Sequence, residues 1–209
     1  MTLELFDHIY IRGSSDETLV LLHGTGGTKE TMAEFGRQLA PDAGLLALDG
    51  SVLEGDQRRF FKRRAFGVYD MPDLANRTRD LSTFLNAAFS LYNFDPKQAV
   101  GIGYSNGANI LTNLILAGEN TMTRCVLMHP LIPFMVDKLP DLADLSLLIT
   151  GGEHDGRCPA PWTRKLAEGL REAGADVTLK MLQGGHEISS AETDIVNTFV
   201  TKNALVEAS

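Results

Sequence analysis

The chain has 209 residues, 44% of them hydrophobic, and a formal net charge of −8. A chain of this size and composition can bury a full core as one domain, and its acidic balance argues against nucleic-acid and anionic-membrane binding. The sequence shows no signal peptide, no apolar run near the roughly 18–20 residues that cross a bilayer, and only two cysteines, Cys125 and Cys158. We therefore expect a cytoplasmic protein without nucleic-acid partners and without stable membrane insertion.

Short apolar runs alternate with amphipathic stretches along the whole chain. An antiparallel edge strand is predicted over 6–13, and buried strands are predicted over 18–24, 44–50, 98–105, 124–130, 146–152 and 176–182. Helices are predicted over 29–40, 72–92, 106–118, near 160–173 and over 188–202. Apolar strands separated by amphipathic helices are typical of a parallel sheet covered on both faces. The pattern therefore predicts one α/β domain over residues 1–209.

Residues 51–71 form the least regular stretch of the sequence. Five cations fall within 58–64, interleaved with Phe60 and Phe61. Two interpretations stay open: an ion-paired loop that covers part of the core, or a segment that contacts a substrate, with Phe61 as a candidate. The acidic total disfavours nucleic-acid binding here.

Ser105 lies in "GIGYSNGANI", between a predicted strand and a predicted helix. A sharp strand-to-helix turn forces its apex residue into an unfavourable backbone conformation, and Gly103 and Gly107 supply the room beside it. The following helix aims its amino-terminal N–H groups at the apex. This placement favours Ser105 as a nucleophile over a hydroxyl in an ordinary glycine-rich loop.

A serine nucleophile needs a base within hydrogen-bond reach. The candidates are the five histidines, His8, His23, His129, His154 and His186. His186 follows the last predicted strand in a glycine-rich loop, where the order Ser, Asp, His places the base of an α/β-hydrolase. His129 ends a strand before Pro130 and could line the site, but we expect a packed histidine there. We expect His23 to support its turn, although it stays a candidate substrate contact.

The acid that orients this base should follow the strand over 146–152. Asp155 lies between Ser105 and His186 in chain order and is the preferred acid. Glu153 and Asp144 are alternatives, but Asp144 precedes its strand and so belongs to the wrong end of the sheet.

An oxyanion hole requires two N–H donors. The residue after the nucleophile, Asn106, supplies one, and the early loop "HGTGG" supplies the other, with Thr25 preferred and Gly26 next. Gly26 is also a candidate substrate contact. The loop lacks the Lys-Ser/Thr ending of a phosphate-binding loop, which disfavours a nucleotide site.

With these residues in place, the chain resembles an α/β-hydrolase of the phospholipase/carboxylesterase family, in the bacterial predicted-esterase branch related to acyl-protein thioesterases. The matching pieces, in the family's order, are "LLHGTGG", "RRFFKRRAFGVYDMPDL", "GYSNGANI", "LLITGGEHDGRCP" and "GGHEI". The resemblance implies a mostly parallel central sheet without a large cap domain. It also implies Ser105, Asp155 and His186 as the triad, Thr25 and Asn106 as oxyanion donors, and no metal or other cofactor.

Two departures from the family pattern bear on the substrate. Acyl-protein thioesterases usually have Gln where this chain has Asn106, and the loop after Asp155 reads "GRCPAPW". Cys158 in that loop is either a filler or a redox-sensitive thiol, and Trp162 either packs or lines an acyl pocket.

We expect a serine carboxylesterase that cleaves short-chain carboxylic esters through an acyl-enzyme, with a small-molecule ester as its partner. Two alternatives stay open: a thioesterase or lysophospholipase, and a ligand-binding protein on a hydrolase scaffold. A dienelactone-hydrolase role is disfavoured, because that chemistry resembles this fold with Cys at the nucleophile position. Homodimers are common among proteins that resemble this chain, so a homodimer is a further expectation.

Overall fold

A seven-stranded sheet forms the centre of the protein in a computed structural model, which describes residues 2–134 and 138–201. Its strands, numbered with the hairpin strands in chain order, are β1 (His8–Ile11), β2 (Thr18–Leu22), β3 (Gly44–Leu48), β8 (Ala99–Tyr104), β9 (Arg124–Met128), β10 (Ser146–Gly152) and β11 (Asp176–Leu182). The spatial order is β1-β3-β2-β8-β9-β10-β11. Only β1 runs antiparallel, paired with β3 at the edge of the sheet. The predicted edge strand and the mostly parallel sheet are both confirmed.

Within the described residues, four α-helices connect successive strands and a fifth follows β11. They are α1 (Lys29–Leu39), α2 (Met71–Tyr92), α3 (Asn106–Leu116), α4 (Ala160–Glu172) and α5 (Ser190–Thr201). Local chemistry sets their ends: Thr28 caps α1 through a capping box with Thr31, and α2 starts after its N-cap Asp70. Asn93, in the left-handed region, ends α2. Short 3-10 turns cover Thr2–Leu5 and Pro96–Gln98.

The sheet is covered on both faces, as its continuous apolar strands predict. Side chains from α2, α3 and α4 pack with one set of strand residues, and side chains from α1 and α5 pack with the other. Successive residues of β2 alternate between these two cores: Val20 and Leu22 face the first, Leu19 and Leu21 the second. Because β2, β3, β8, β9, β10 and β11 run parallel, their carboxyl ends all lie at one edge of the sheet, where the candidate site lies.

The stretch from 52 to 69 is more regular than the sequence indicates. It forms two β-hairpins, one from β4 (Val52–Glu54) and β5 (Gln57–Arg59), the other from β6 (Arg63–Ala65) and β7 (Val68–Tyr69). We call residues 52–69 the hairpin segment. Phe60 and Phe61, between the hairpins, are fully buried in the first core. Arg58 forms an ion pair with Asp49, and Arg63 forms one with Glu54. The prediction of an ion-paired segment that covers part of the core is therefore confirmed.

A helix that spans a membrane must be long and predominantly apolar. None of the helices within residues 2–134 and 138–201 is long and apolar enough to cross a bilayer.

Candidate active site

Ser105 stands at the turn between β8 and α3 with φ 50° and ψ −110°. Such a backbone conformation is strained for a residue with a side chain, and strain of this kind clusters at functional sites. The two flanking glycines are required by space. A Cβ at Gly103 would lie 2.6 Å from the Ala108 nitrogen, and one at Gly107 would collide with the Leu22 carbonyl oxygen. The turn therefore holds the hydroxyl out at the strand-end edge of the sheet.

The three residues predicted as nucleophile, base and acid lie in one hydrogen-bonded chain. Ser105 Oγ donates to Nε2 of His186 at 2.9 Å, and Nδ1–H of His186 donates to Oδ2 of Asp155 at 2.8 Å. The Tyr104 hydroxyl donates to the His186 carbonyl oxygen at 2.6 Å and so holds the loop that carries the imidazole. This is the geometry that a serine nucleophile, a general base and an orienting carboxylate require.

Asp155 is buried and well supplied with donors. Its second oxygen, Oδ1, accepts the backbone N–H groups of Arg157 at 2.8 Å and Cys158 at 2.9 Å. Burial by itself raises the pKa of this carboxyl, but these N–H donors and the neighbouring histidines outweigh it and lower the pKa below its ordinary value. Asp155 is therefore a carboxylate. Of the alternatives, Glu153 pairs with Arg164 instead, and Asp144 is exposed before β10.

The imidazole of His186 is kept neutral. Burial is the largest influence and lowers its pKa, the hydrogen bond and charge of Asp155 oppose that effect, and the net direction is down. A neutral imidazole with its Nδ1 proton on Asp155 presents the Nε2 lone pair to Ser105, which is the state that a general base needs.

His129 joins the site, which was the less favoured of its two sequence interpretations. His129 is buried, as expected, but its Nδ1 is 2.8 Å from Oδ2 of Asp155, and its Nε2 is 3.2 Å from Oε2 of Glu192. His129 directly follows β9 at the same edge of the sheet as the other strand-end residues. The strand-end rule that selected Asp155 and His186 would have selected His129 as well, whereas Glu192, on α5, had no signal in the sequence.

The ligand atoms of His129, Asp155 and His186 all lie within 4.8 Å of one another, a spacing that a metal site can also have. Each imidazole is 2.8 Å from the same carboxylate oxygen, and hydrogen bonds account for both distances. We therefore describe these residues as a hydrogen-bonded cluster.

The two predicted oxyanion donors lie beside Ser105. The backbone N–H groups of Thr25 and Asn106 find no acceptor among residues 2–134 and 138–201, and both residues line the Ser105 pocket. The hairpin segment donates hydrogen bonds to the side chains of both residues. Arg59 Nη1 donates to Thr25 Oγ1 at 2.6 Å, and the Phe60 N–H donates to Asn106 Oδ1 at 2.7 Å. The Gly26 N–H donates to the Arg58 carbonyl at 2.9 Å, so it is already occupied.

Three further candidate contacts, His23, Phe61 and Trp162, are not among the residues that line the Ser105 pocket. His23 is buried, and its Nε2 accepts the Gly50 N–H at 2.9 Å, so the ring supports the loop. Phe61 packs edge-on against Tyr69 within the core. Trp162 lines a separate cavity of about 360 Å³. Cys158 borders the Ser105 pocket, and burial raises the pKa of its thiol to about 12, which disfavours a reactive thiolate.

The Ser105 pocket is small, open and cationic. Its volume is about 320 Å³. Three arginines, Arg59, Arg63 and Arg157, line it, and none of its described lining residues is acidic. Arg59 and Arg63 share one carboxylate, Glu54, while Arg157 has no ion-pair partner in the described part of the chain. A chain with a net charge of −8 thus presents positive charge at this site.

Known proteins are similar to this chain in sequence and in fold. The model of the dienelactone hydrolase family matches residues 10–197. The chain is 40% identical over 187 residues to the putative hydrolase MhqD of Bacillus subtilis (strain 168), an alignment that covers 90% of this chain and 94% of that protein.

Two solved structures are similar over almost their whole length. The Bacillus cereus carboxylesterase superposes with a TM-score of 0.90 at 35% identity, covering 94% of each chain. The protein Atu2452 of unknown function from Agrobacterium tumefaciens str. C58 superposes with a TM-score of 0.89 at 40% identity, covering 97% of this chain and 98% of that one.

These matches confirm the α/β-hydrolase resemblance predicted from the motifs. The family match extends over most of the chain and includes Ser105, Asp155 and His186. The chain belongs to the dienelactone hydrolase family of α/β-hydrolases and is a hydrolase of the dienelactone hydrolase and carboxylesterase type.

Proposed function

We propose that this protein is a serine carboxylesterase that uses Ser105, His186 and Asp155 as its catalytic triad. The observation that carries the proposal is the continuous hydrogen-bonded chain from Ser105 Oγ through His186 to Asp155, built on a strained turn. The similarity to a carboxylesterase at 35% identity supports the same chemistry.

The reaction has two halves. Ser105 Oγ attacks the ester carbonyl carbon as His186 Nε2 takes the hydroxyl proton. The tetrahedral oxyanion accepts hydrogen bonds from the backbone N–H groups of Thr25 and Asn106. The C–O bond to the alcohol then breaks, with the proton passing from His186 to the leaving oxygen. Water, deprotonated by His186, attacks the acyl-enzyme, and the carboxylic acid leaves as Ser105 regains its proton.

The pocket favours a short ester that carries a negative charge. A volume of about 320 Å³ suits a small acyl group better than a long one. Arg157, exposed and without an ion-pair partner in the described residues, offers its guanidinium to a carboxylate on the substrate. The same features argue against the thioesterase or lysophospholipase alternative, whose long acyl chain needs an apolar groove.

The test is Ser105→Ala measured on p-nitrophenyl acetate, with Ser14→Ala, an exposed serine, as the control. We expect Ser105→Ala to lower kcat/KM by at least about 10⁴-fold and to abolish labelling by a fluorophosphonate, while Ser14→Ala behaves as the parent. Hydrolysis by Ser105→Ala at the parental rate would show that the mechanism is wrong.

A substrate series separates the alternatives. Esters and thioesters from acetyl to palmitoyl should show a preference for short acyl esters, and a palmitoyl thioester preference would instead favour the thioesterase. Rapid labelling of Ser105 without useful turnover on any ester would favour the ligand-binding alternative.

A further inference from the structure

A second histidine binds the carboxylate that orients His186. Oδ2 of Asp155 lies 2.8 Å from Nδ1 of His186 and 2.8 Å from Nδ1 of His129. The two imidazole rings meet edge to face, with centroids 5.2 Å apart. Asp155 is therefore held from two sides, and a triad of the usual kind needs only one of them.

Glu192 holds the far side of His129. This carboxylate, in the first turn of α5, is 1% exposed, and its Oε2 lies 3.2 Å from His129 Nε2. Its other oxygen accepts the Thr150 hydroxyl at 2.6 Å. Because a buried carboxylate is costly unless it is paired, this complete set of partners indicates a built network.

A protonated His129 is one cation between two carboxylates, those of Asp155 and Glu192. Burial is the largest influence and lowers the pKa of His129, but Glu192 and Asp155 together outweigh it and raise the pKa above its ordinary value. The His186 ring, the Tyr104 ring at 6.0 Å and the exposed Glu187 are the other titratable groups that face His129. A cationic His129 between two carboxylates leaves the cluster with one negative charge, as in a triad with a lone acid.

The backbone at His129 is also unusual. Its φ is 51°, in the left-handed region that residues other than glycine seldom occupy, and its N–H donates to the Thr150 carbonyl at 3.0 Å. Such a conformation persists only where the surrounding structure requires it. Here it places the ring between Asp155 and Glu192.

We propose that His129 and Glu192 are positioning residues of the Ser105 site: Glu192 orients His129, and His129 fixes the carboxylate oxygen that accepts the hydrogen bond from His186 Nδ1–H. This inference rests on the proposed esterase function. Its electrostatic consequence is distinct from simple packing. The positive charge of His129 lowers the pKa of His186 and so keeps the base neutral to lower pH.

Two substitutions separate the charge of His129 from its hydrogen bond. His129→Asn keeps a donor near the Nδ1 position and tolerates a positive φ, but it removes the charge. We expect its acid limb of kcat/KM to move to higher pH with a modest loss of kcat. His129→Ala removes the donor as well, and we expect kcat to fall by about ten- to hundredfold with KM nearly unchanged, because Asp155 and His186 lose their alignment.

Two further variants complete the set. Glu192→Gln keeps an acceptor for His129 but removes the charge that keeps it protonated, so its acid limb should move in the same direction as that of His129→Asn. His154→Asn, at an exposed histidine of the Asp155 loop, is the matched control and should leave the profile in place.

A readout that does not depend on turnover is histidine NMR on Ser105→Ala, with and without His129→Asn. The His186 resonances should titrate at higher pH in the double variant. Unchanged His186 titration, or folded His129→Asn and Glu192→Gln variants with the parental kcat/KM profile, would overturn the inference. If Ser105→Ala itself kept full activity, the proposed function would fail instead, so the two failures are distinguishable.

Discussion

Two walls enclose the Ser105 pocket, and they are built differently. One wall is the strand-end edge of the sheet, which supplies Ser105, Asp155, His186 and His129 from the ends of four different strands. The other is the hairpin segment, residues 52–69, which supplies Arg59 and Arg63. In the proposed mechanism, the strand-end wall carries the groups that move protons, and the hairpin segment carries charge and contacts the proposed oxyanion residues. The difference indicates that changes in the first wall affect the chemical step most, whereas changes in the second affect alignment and substrate choice.

The largest expected effect comes from the strand-end wall. Asp155→Asn keeps the volume of the side chain but removes the charge that fixes the tautomer of His186, and we expect kcat to fall by about 10⁴-fold. Steady-state kinetics on p-nitrophenyl acetate measure this, with the exposed Asp144→Asn as the control. A loss of less than about tenfold would show that Asp155 is not the acid of the triad.

The hairpin segment should show a smaller effect through Arg59. Arg59→Met removes the hydrogen bond to Thr25 Oγ1 and loosens one oxyanion donor, so we expect about a tenfold loss of kcat, less than the roughly 10²–10³ of deleting a donor outright. Arg58→Met, which removes a half-exposed neighbour paired with Asp49, is the matched control. Equal losses in the two variants would contradict a specific role for Arg59.

Arg157 sharpens the comparison, because it follows a strand but contributes charge to the pocket. Arg157→Gln should raise KM about two- to fivefold for an ester that bears a carboxylate, since an exposed charge pair contributes little more than this. The KM for a neutral ester of the same size should not change. Arg12→Gln, at the opposite end of the sheet, controls for net charge. The same KM change with both esters would rule out charge recognition by Arg157.

The smallest expected effect concerns the pH at which activity is lost on the acid side. His186 must be neutral to accept the proton of Ser105, and burial lowers its pKa below the ordinary value of about 6.5. Activity is therefore retained as the pH falls through about 6.5 and is lost only below it, at the lowered pKa. A kcat/KM profile with an acid limb above pH 6.5 would contradict a depressed pKa at His186.

The strand-end wall was largely predictable from sequence. Apolar runs locate the strands, and the glycines at 103 and 107 mark the turn, because close backbone approach there leaves no room for a Cβ. The same reasoning favoured packing for His129 over a place at the site, because its distant partner on α5 cannot be recognised from the sequence. Glu192 is 63 residues away from it in the chain, and no local pattern links the two.

The hairpin segment was harder to predict for a physical reason. Two adjacent Phe residues between runs of cations do not reveal which side chains face inward, and short strands at an irregular surface carry little periodicity. Phe61 was a candidate substrate contact and is in the core, while Arg59 and Arg63 line the pocket. The ion pairs of the segment join Arg59 and Arg63 to Glu54 within it and Arg58 to Asp49 outside it, and no local sequence pattern specifies these pairings.

The contacts of Arg59 and Phe60 have a consequence for building chimeric enzymes. These adjacent residues donate hydrogen bonds to the side chains of Thr25, in the loop after β2, and of Asn106, at the start of α3. A hairpin segment taken from a relative would thus change the pocket and keep it functional only if it preserved the guanidinium at position 59 and the backbone path at position 60. Residues 25, 59, 60 and 106 form one unit of exchange, and recombination breakpoints that keep all four from one parent should give more active hybrids than those that divide them.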